Sequence, residues 1–200
     1  MRHIAAAILF ASALVLAAGC SGPGEQTKKD DSLQYEYEGD TVRATPKEMS
    51  VEATYLSPDG LDIYYSAFRD GKYKNPFSPK SYLIFSLTVE NKTKNKMTYN
   101  PKMTFLQTTS SRPVTAKDLS GVYMDFEFAQ LDDIEERADA FKASCYDTSC
   151  TIMPGESVQK LIVFPREDIK NSATLLVESL YSGYESRPIA LKFKRGLALK

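Results

Sequence analysis

The sequence predicts an all-β fold, a sandwich of short antiparallel strands with one helical insertion. Three observations predict it. Residues 82–90 alternate, with Leu83, Phe85, Leu87 and Val89 apolar and Ser86, Thr88 and Glu90 polar. That is the period-two pattern of a half-buried strand. Turn signals recur at short spacing, as in Asn91 to Asn95 and Met153-Pro154-Gly155-Glu156, where Pro is pre-set for a turn and Gly accepts positive φ. One stretch, 132–144, changes to a helical period. Ile134, Ala138 and Phe141 share a face there, with Leu131 a turn earlier and Asp133, Glu135, Glu136 and Asp139 pointing elsewhere.

The chain opens with Met1-Arg2-His3, then an apolar or small run from Ile4 to Ala18, closed by Gly19 and Cys20. A charged start, an apolar middle and a small-residue end make residues 1–19 a secretory signal peptide. The run falls short of the roughly 20 apolar residues that cross a bilayer. Leu16-Ala17-Ala18-Gly19-Cys20 resembles the lipobox of bacterial lipoproteins, with Ala17 where that family prefers Leu. The resemblance implies cleavage before Cys20, a diacylglycerol on its sulfur and an acylated amino group. Membrane attachment through that lipid follows, since each buried methylene contributes about 0.8 kcal/mol. Ser21 after the cysteine, rather than Asp, implies the outer membrane, on its periplasmic face.

Residues 20–47 form the next segment. It starts with the lipidated cysteine and is polar and charged, a flexible tether by composition, with Tyr35, Tyr37 and Val42 offering a short edge strand near its end. The domain proper is expected over 48–200. Val51, Ala53 and Tyr55 alternate in 49–56, and 82–90 follows. Residues 97–108 resume the pattern, interrupted at Asn100-Pro101 by an edge or bulge. Residues 118–128 fit a strand or a helix equally well, so a partly helical excursion is expected over about 118–144. Val158 to Phe164, Thr174 to Tyr181, and Ile189, Leu191 and Phe193 supply the last strands.

The strand ending in Val89-Glu90-Asn91, its turn, and Met153-Pro154-Gly155-Glu156-Ser157 running into Leu161-Ile162-Val163-Phe164 together carry a second resemblance. It looks like the immunoglobulin-like β-sandwich domains of bacterial lipoproteins, of the DUF4352 and proteinase-inhibitor-like kind. It implies a binding or structural module, and no catalytic residue carries over.

Composition narrows function further. Without residues 1–19 the chain has 24 basic and 26 acidic residues, a net charge of −2, which gives no pull toward nucleic acid. The one histidine, His3, lies in the signal. The mature chain therefore has no imidazole for a Ser-His-Asp or Cys-His nucleophile or for a zinc site. Asp132, Asp133, Glu135 and Glu136 do not alternate around a Gly as a calcium loop does, and they read as a solvated helix face. No metal and no cofactor is expected.

Besides Cys20 there are two cysteines, Cys145 and Cys150. In an oxidising envelope they are expected to pair as a structural disulfide. A redox-active pair is the other reading, although four residues separate them where redox motifs use two. Tyr64, Tyr65, Phe68, Tyr73 and Phe77 mark a candidate partner-binding loop. They fit equally a strand pair of packed aromatics around Asp70-Gly71. The expected function is a membrane-anchored, non-enzymatic binding or structural module with an envelope protein partner. The alternative is an inhibitor or accessory subunit of an envelope hydrolase, an analogy resting on fold.

Overall fold

A computed structural model describes residues 34–46, 48–77, 82–108, 112–166, 172–183 and 185–193. The signal peptide, Cys20 and the first part of the tether lie outside the described residues. The strands are, in order, β1 (Gln34–Glu38), β2 (Thr41–Thr45), β3 (Met49–Leu56), β4 (Tyr82–Asn91), β5 (Met97–Tyr99), β6 (Thr104–Thr108), β7 (Val114–Thr115), β8 (Cys150–Ile152), β9 (Ser157–Pro165), β10 (Ala173–Val177), β11 (Leu180–Ser182), β12 (Glu185–Ser186) and β13 (Ile189–Phe193). Three helices interrupt them: α1 (Pro58–Ala67), α2 (Leu119–Phe128) and α3 (Ile134–Ser144).

The predicted all-β sandwich is present. Sheet I has the antiparallel order β1-β2-β3-β4-β9. The facing layer is built from two shorter sheets, β13-β10-β6-β7 and β12-β11-β5-β8. Two chain segments cross from one short sheet to the other, at Asn100–Met103 and at Glu178-Ser179. The Asn100 amide donates to the Ser179 hydroxyl (3.2 Å), that hydroxyl donates back to the Asn100 carbonyl (2.5 Å), and the Glu178 amide donates to the Met103 carbonyl (3.1 Å). The break anticipated at Asn100-Pro101 is therefore a change of sheet. Pro101 has no amide proton to continue a ladder.

β4 is the centre of sheet I and is buried on both faces over its first half. Leu83, Phe85, Leu87 and Val89 enter the sandwich core; Tyr82 and Ile84 enter a second apolar cluster beneath the helices. Towards its end the second face becomes half-buried Thr88 and Glu90. The run Tyr-Leu-Ile-Phe encodes that change: continuous where two faces are covered, alternating where one is.

Two parts of the predicted organisation need correction. The domain starts earlier than residue 48. β1 and β2 form a hairpin through Gly39-Asp40, with Gly39 at φ +55, and β2 pairs with β3. Glycine takes the left-handed turn position without a Cβ penalty. Val42 and Ala44 then bury against the sandwich core, so the short edge strand expected around Tyr35, Tyr37 and Val42 is a two-strand hairpin belonging to the domain.

The second correction concerns the cysteines. Cys145 and Cys150 are free thiols, not the expected disulfide. Cys145 belongs to the cluster under the helices, whereas Cys150 packs against the sandwich core. Their side chains thus pack into different clusters, one on each side of sheet I. Hydrogen bonds close the intervening loop instead. The Tyr146 hydroxyl donates to the Val158 carbonyl (2.8 Å) and Asp147 accepts the Leu119 amide (2.8 Å). Burial pushes the Cys145 thiol up to about 12, so little thiolate forms near neutrality. In folded, unreduced protein Cys145 is expected to resist iodoacetamide. After denaturation without reductant, mass spectrometry should find both residues alkylated; an unlabelled pair would contradict the free-thiol assignment.

Candidate functional site

The helices lie on the face of sheet I turned away from the sandwich core, and local sequence explains each. At α1, Ser57 accepts the Gly60 amide (3.2 Å), Pro58 occupies the first turn and Asp59 adds negative charge there. Asp118 caps α2 by accepting the Gly121 amide (3.0 Å). Asp125 then ties α2 down, accepting from the Tyr82 hydroxyl (2.7 Å) and from Lys117 Nζ (2.5 Å). The stretch that fitted strand or helix is helix. Val122 and Phe126 point into the cluster and Phe141 of α3 meets them there.

The five singled-out aromatics come together, but not as an exposed loop or a strand pair. Tyr64 and Tyr65 lie on α1. Tyr65 and Phe77 are buried; Tyr64, Phe68 and Tyr73 are half-buried above them. Ring centroids run in sequence: Tyr64–Phe68 5.4 Å, Phe68–Tyr73 6.0 Å, Tyr65–Phe77 6.5 Å and Phe77–Phe141 6.1 Å. The first is stacked, the last edge-on and the other two tilted, and such ring pairs stabilise beyond simple burial. The Tyr65 hydroxyl pairs with Ser144 (2.6 Å), and Ser144 donates to the Ala140 carbonyl (2.7 Å). Asp70-Gly71 makes a left-handed reversal after α1 rather than a hairpin. Arg69, Asp70 and Gly71 all have positive φ, at 49°, 58° and 72°.

That reversal sends residues 72–77 back along α3, where a cleft opens. Its volume is about 360 Å³. Lys72, Tyr73 and Lys74 form one wall; Asp133, Glu136 and Asp139 of the α3 region form the other. Arg137 fixes the two walls relative to each other. Its Nη1 donates to the Pro76 carbonyl (2.6 Å), its Nε donates to Asp133 (2.6 Å), and its guanidinium lies 5.8 Å from the Phe126 ring centre. The Arg137 hydrogen bond holds the Asp133 carboxyl below the usual range. Asn75 braces the base, donating to Asp62 (2.9 Å) and accepting the Phe77 amide (3.0 Å).

Of the five aromatics only Tyr73 lines the cleft. By sequence Asp133 and Glu136 of the lining belong to a solvated helix face; the fold turns them into a cleft wall. Its one sequence signal was Asp133–Arg137 at a spacing of four, which is how helical ion pairs meet. That spacing does not say that Arg137 also reaches Pro76, 61 residues away in sequence. An acidic wall facing a basic wall suits a ligand bearing both charges, such as an extended polypeptide segment.

Asp118 lets the mounting of α2 be tested. Ser120, the Gly121 amide and Lys102 hold its carboxyl down at about 2. A depressed folded value contributes stability above the unfolded value, and that contribution is lost as pH falls towards 2. Asp118→Ala is expected to cost about 1 kcal/mol at pH 7. In paired urea titrations the gap to wild type should close between pH 4 and 2; a pH-independent gap would exclude the carboxylate as its source.

No family model matches the chain, and no curated protein matches it. The resemblance to the DUF4352 kind of domain therefore stands on residues alone. Three solved structures are similar at low identity. The yjhA protein of Bacillus subtilis is 12% identical, with 80% of this chain and 96% of that chain covered and a TM-score of 0.41. A candidate lipoprotein (ycdA) of Bacillus subtilis is 14% identical over 76% of this chain, with a TM-score of 0.44; the chain spans only 38% of its length. A functionally unknown protein of Listeria monocytogenes is 12% identical, with 83% and 84% covered and a TM-score of 0.37.

Proposed function

We propose that the chain is a lipid-anchored envelope protein that acts as a non-enzymatic binding module, with the cleft between residues 72–76 and α3 as its recognition surface. One observation carries the binding part. A cleft with opposed charges is braced by Arg137, which bonds both Pro76 and Asp133, and such pre-organisation is what binding sites need. The anchor part rests on Leu16-Ala17-Ala18-Gly19-Cys20. Ser21 extends it to the outer membrane, periplasmic face. Among the described residues no helix is long and apolar enough to cross a membrane.

Two measurements test the two parts separately. Metabolic labelling with a fatty acid should mark wild type and not Cys20→Ser; equal labelling would remove the anchor. A photo-crosslinking residue at Lys74 should capture an envelope protein in intact cells, and Glu136→Lys should abolish the adduct. Capture unchanged by Glu136→Lys would remove the cleft from the binding reading.

A further inference from the structure

α2 carries a surface that the cleft does not use. Phe128 is 81% exposed and Met124 is 54% exposed. Four residues apart, they are neighbours on one helix face. Val122 and Phe126 face the other way and already attach α2 to the cluster beneath it. A surface helix needs one apolar stripe for its own packing, so Met124 and Phe128 form a second stripe that folding does not account for. Two large apolar side chains exposed side by side offer an interaction surface.

The segment that carries these residues is acidic. Residues 117–144 contain eight acidic side chains and three basic ones, Lys117, Arg137 and Lys142. All three bases are engaged with acids of the same region, at Asp125, Asp133 and Asp139. Asp118 is paired with Lys102. The remaining four acids include Glu127, next to Phe128, and Glu135, which accepts the hydroxyl of Tyr123 (2.8 Å) beside Met124.

We infer that this face of α2 docks a cationic amphipathic segment of a partner protein, with its apolar side on Met124 and Phe128 and its lysine or arginine side chains towards Glu127, Asp132 and Glu135. Charge complementarity selects this occupant. A second copy of the chain would set acid against acid, and an anionic lipid surface would be repelled by the same collar. The inference needs neither the lipid anchor nor the cleft, and it stands or falls separately from them.

The test uses residues 20–200 carrying Cys20→Ser, purified without detergent, and a short fluorescent Leu–Lys amphipathic peptide read by anisotropy. Saturable binding weakened by added salt is expected. Met124→Ser with Phe128→Ser should weaken it roughly tenfold, and Glu127→Gln with Glu135→Gln should weaken it and flatten the salt dependence. All four side chains are on the surface, so both double variants should keep the wild-type circular dichroism. Unchanged affinity in the apolar double variant would overturn the inference. So would equally tight binding of a leucine-free oligolysine or of a Leu–Glu peptide. Dimerisation in sedimentation, or binding to phosphatidylglycerol vesicles, would also overturn it if lost on Met124→Ser with Phe128→Ser, by assigning the face to a second copy or to lipid.

Discussion

Phe85→Ala is expected to lower stability by about 3–5 kcal/mol, with a fall in Tm of roughly 10 °C. Phe85 is fully buried in the centre of β4. Its ring centre lies 5.7 Å from Tyr55, 6.0 Å from Phe164 and 5.2 Å from Phe193. Tyr55 and Phe164 belong to sheet I and Phe193 to the facing layer, so one side chain joins both halves of the sandwich. Removing it deletes apolar burial and leaves a cavity that neighbours from two sheets cannot both move to fill. Ile63→Ala is the control, because Ile63 is exposed on α1 and should change stability by no more than about 0.5 kcal/mol. Equal losses for the two variants in calorimetry would contradict the placement of Phe85 between the layers.

Asn91→Leu should cost about 3 kcal/mol or more, through hydrogen bonding rather than volume. Asn91 is fully buried at the end of β4. Its Nδ2 donates to the Asn95 carbonyl (2.8 Å) and the Ile152 carbonyl (2.9 Å). Its Oδ1 accepts the Thr93 amide (2.9 Å) and hydroxyl (2.7 Å). One side chain thereby organises the 91–95 turn and fastens it to β8. Leucine has nearly the same size but leaves these groups without their partner, and a buried unsatisfied group costs about 1–3 kcal/mol. Asn91→Asp keeps the two acceptor bonds and sets a carboxylate oxygen against two carbonyls. It should therefore also destabilise, and more at pH 7 than at pH 4, where the carboxyl regains a proton to donate. Urea unfolding at the two pH values checks both variants; a neutral Asn91→Leu would remove the bracket.

The strands were legible wherever one face is covered and the other wet. β3, the second half of β4, and β13 alternate because each sits at such a boundary. The helix at 134–144 was legible from its apolar spacing. α1 was not, because Asp70-Gly71 between aromatic runs carries a strong hairpin signal. The left-handed geometry suited to Asp-Gly serves equally well to reverse the chain after a helix, and burial of Leu61 and Tyr65 against sheet I decides for the helix. Residues 34–45 were legible as the end of the tether with a short edge strand at most, because β1 is exposed throughout. Only the burial of Val42 and Ala44 on the partner strand gives the hairpin a reason to order. The cysteine spacing allowed a disulfide; in the fold the two thiols are free and pack into different clusters.

For the candidate site the division is similar. The sequence alone placed the five aromatics in one stretch, the acids on one helix, the near-neutral charge of residues 20–200 and the absence of imidazole from them. These are properties of composition and local spacing, and no folding can change them. The tertiary structure alone brought Arg137 to Pro76, turned the aromatics from a surface into a base, opened the cleft beside them and left Phe128 bare. Each of those depends on which face of sheet I the helices cover. That choice is made by the sum of buried apolar area across elements far apart in the chain, a quantity no local pattern contains.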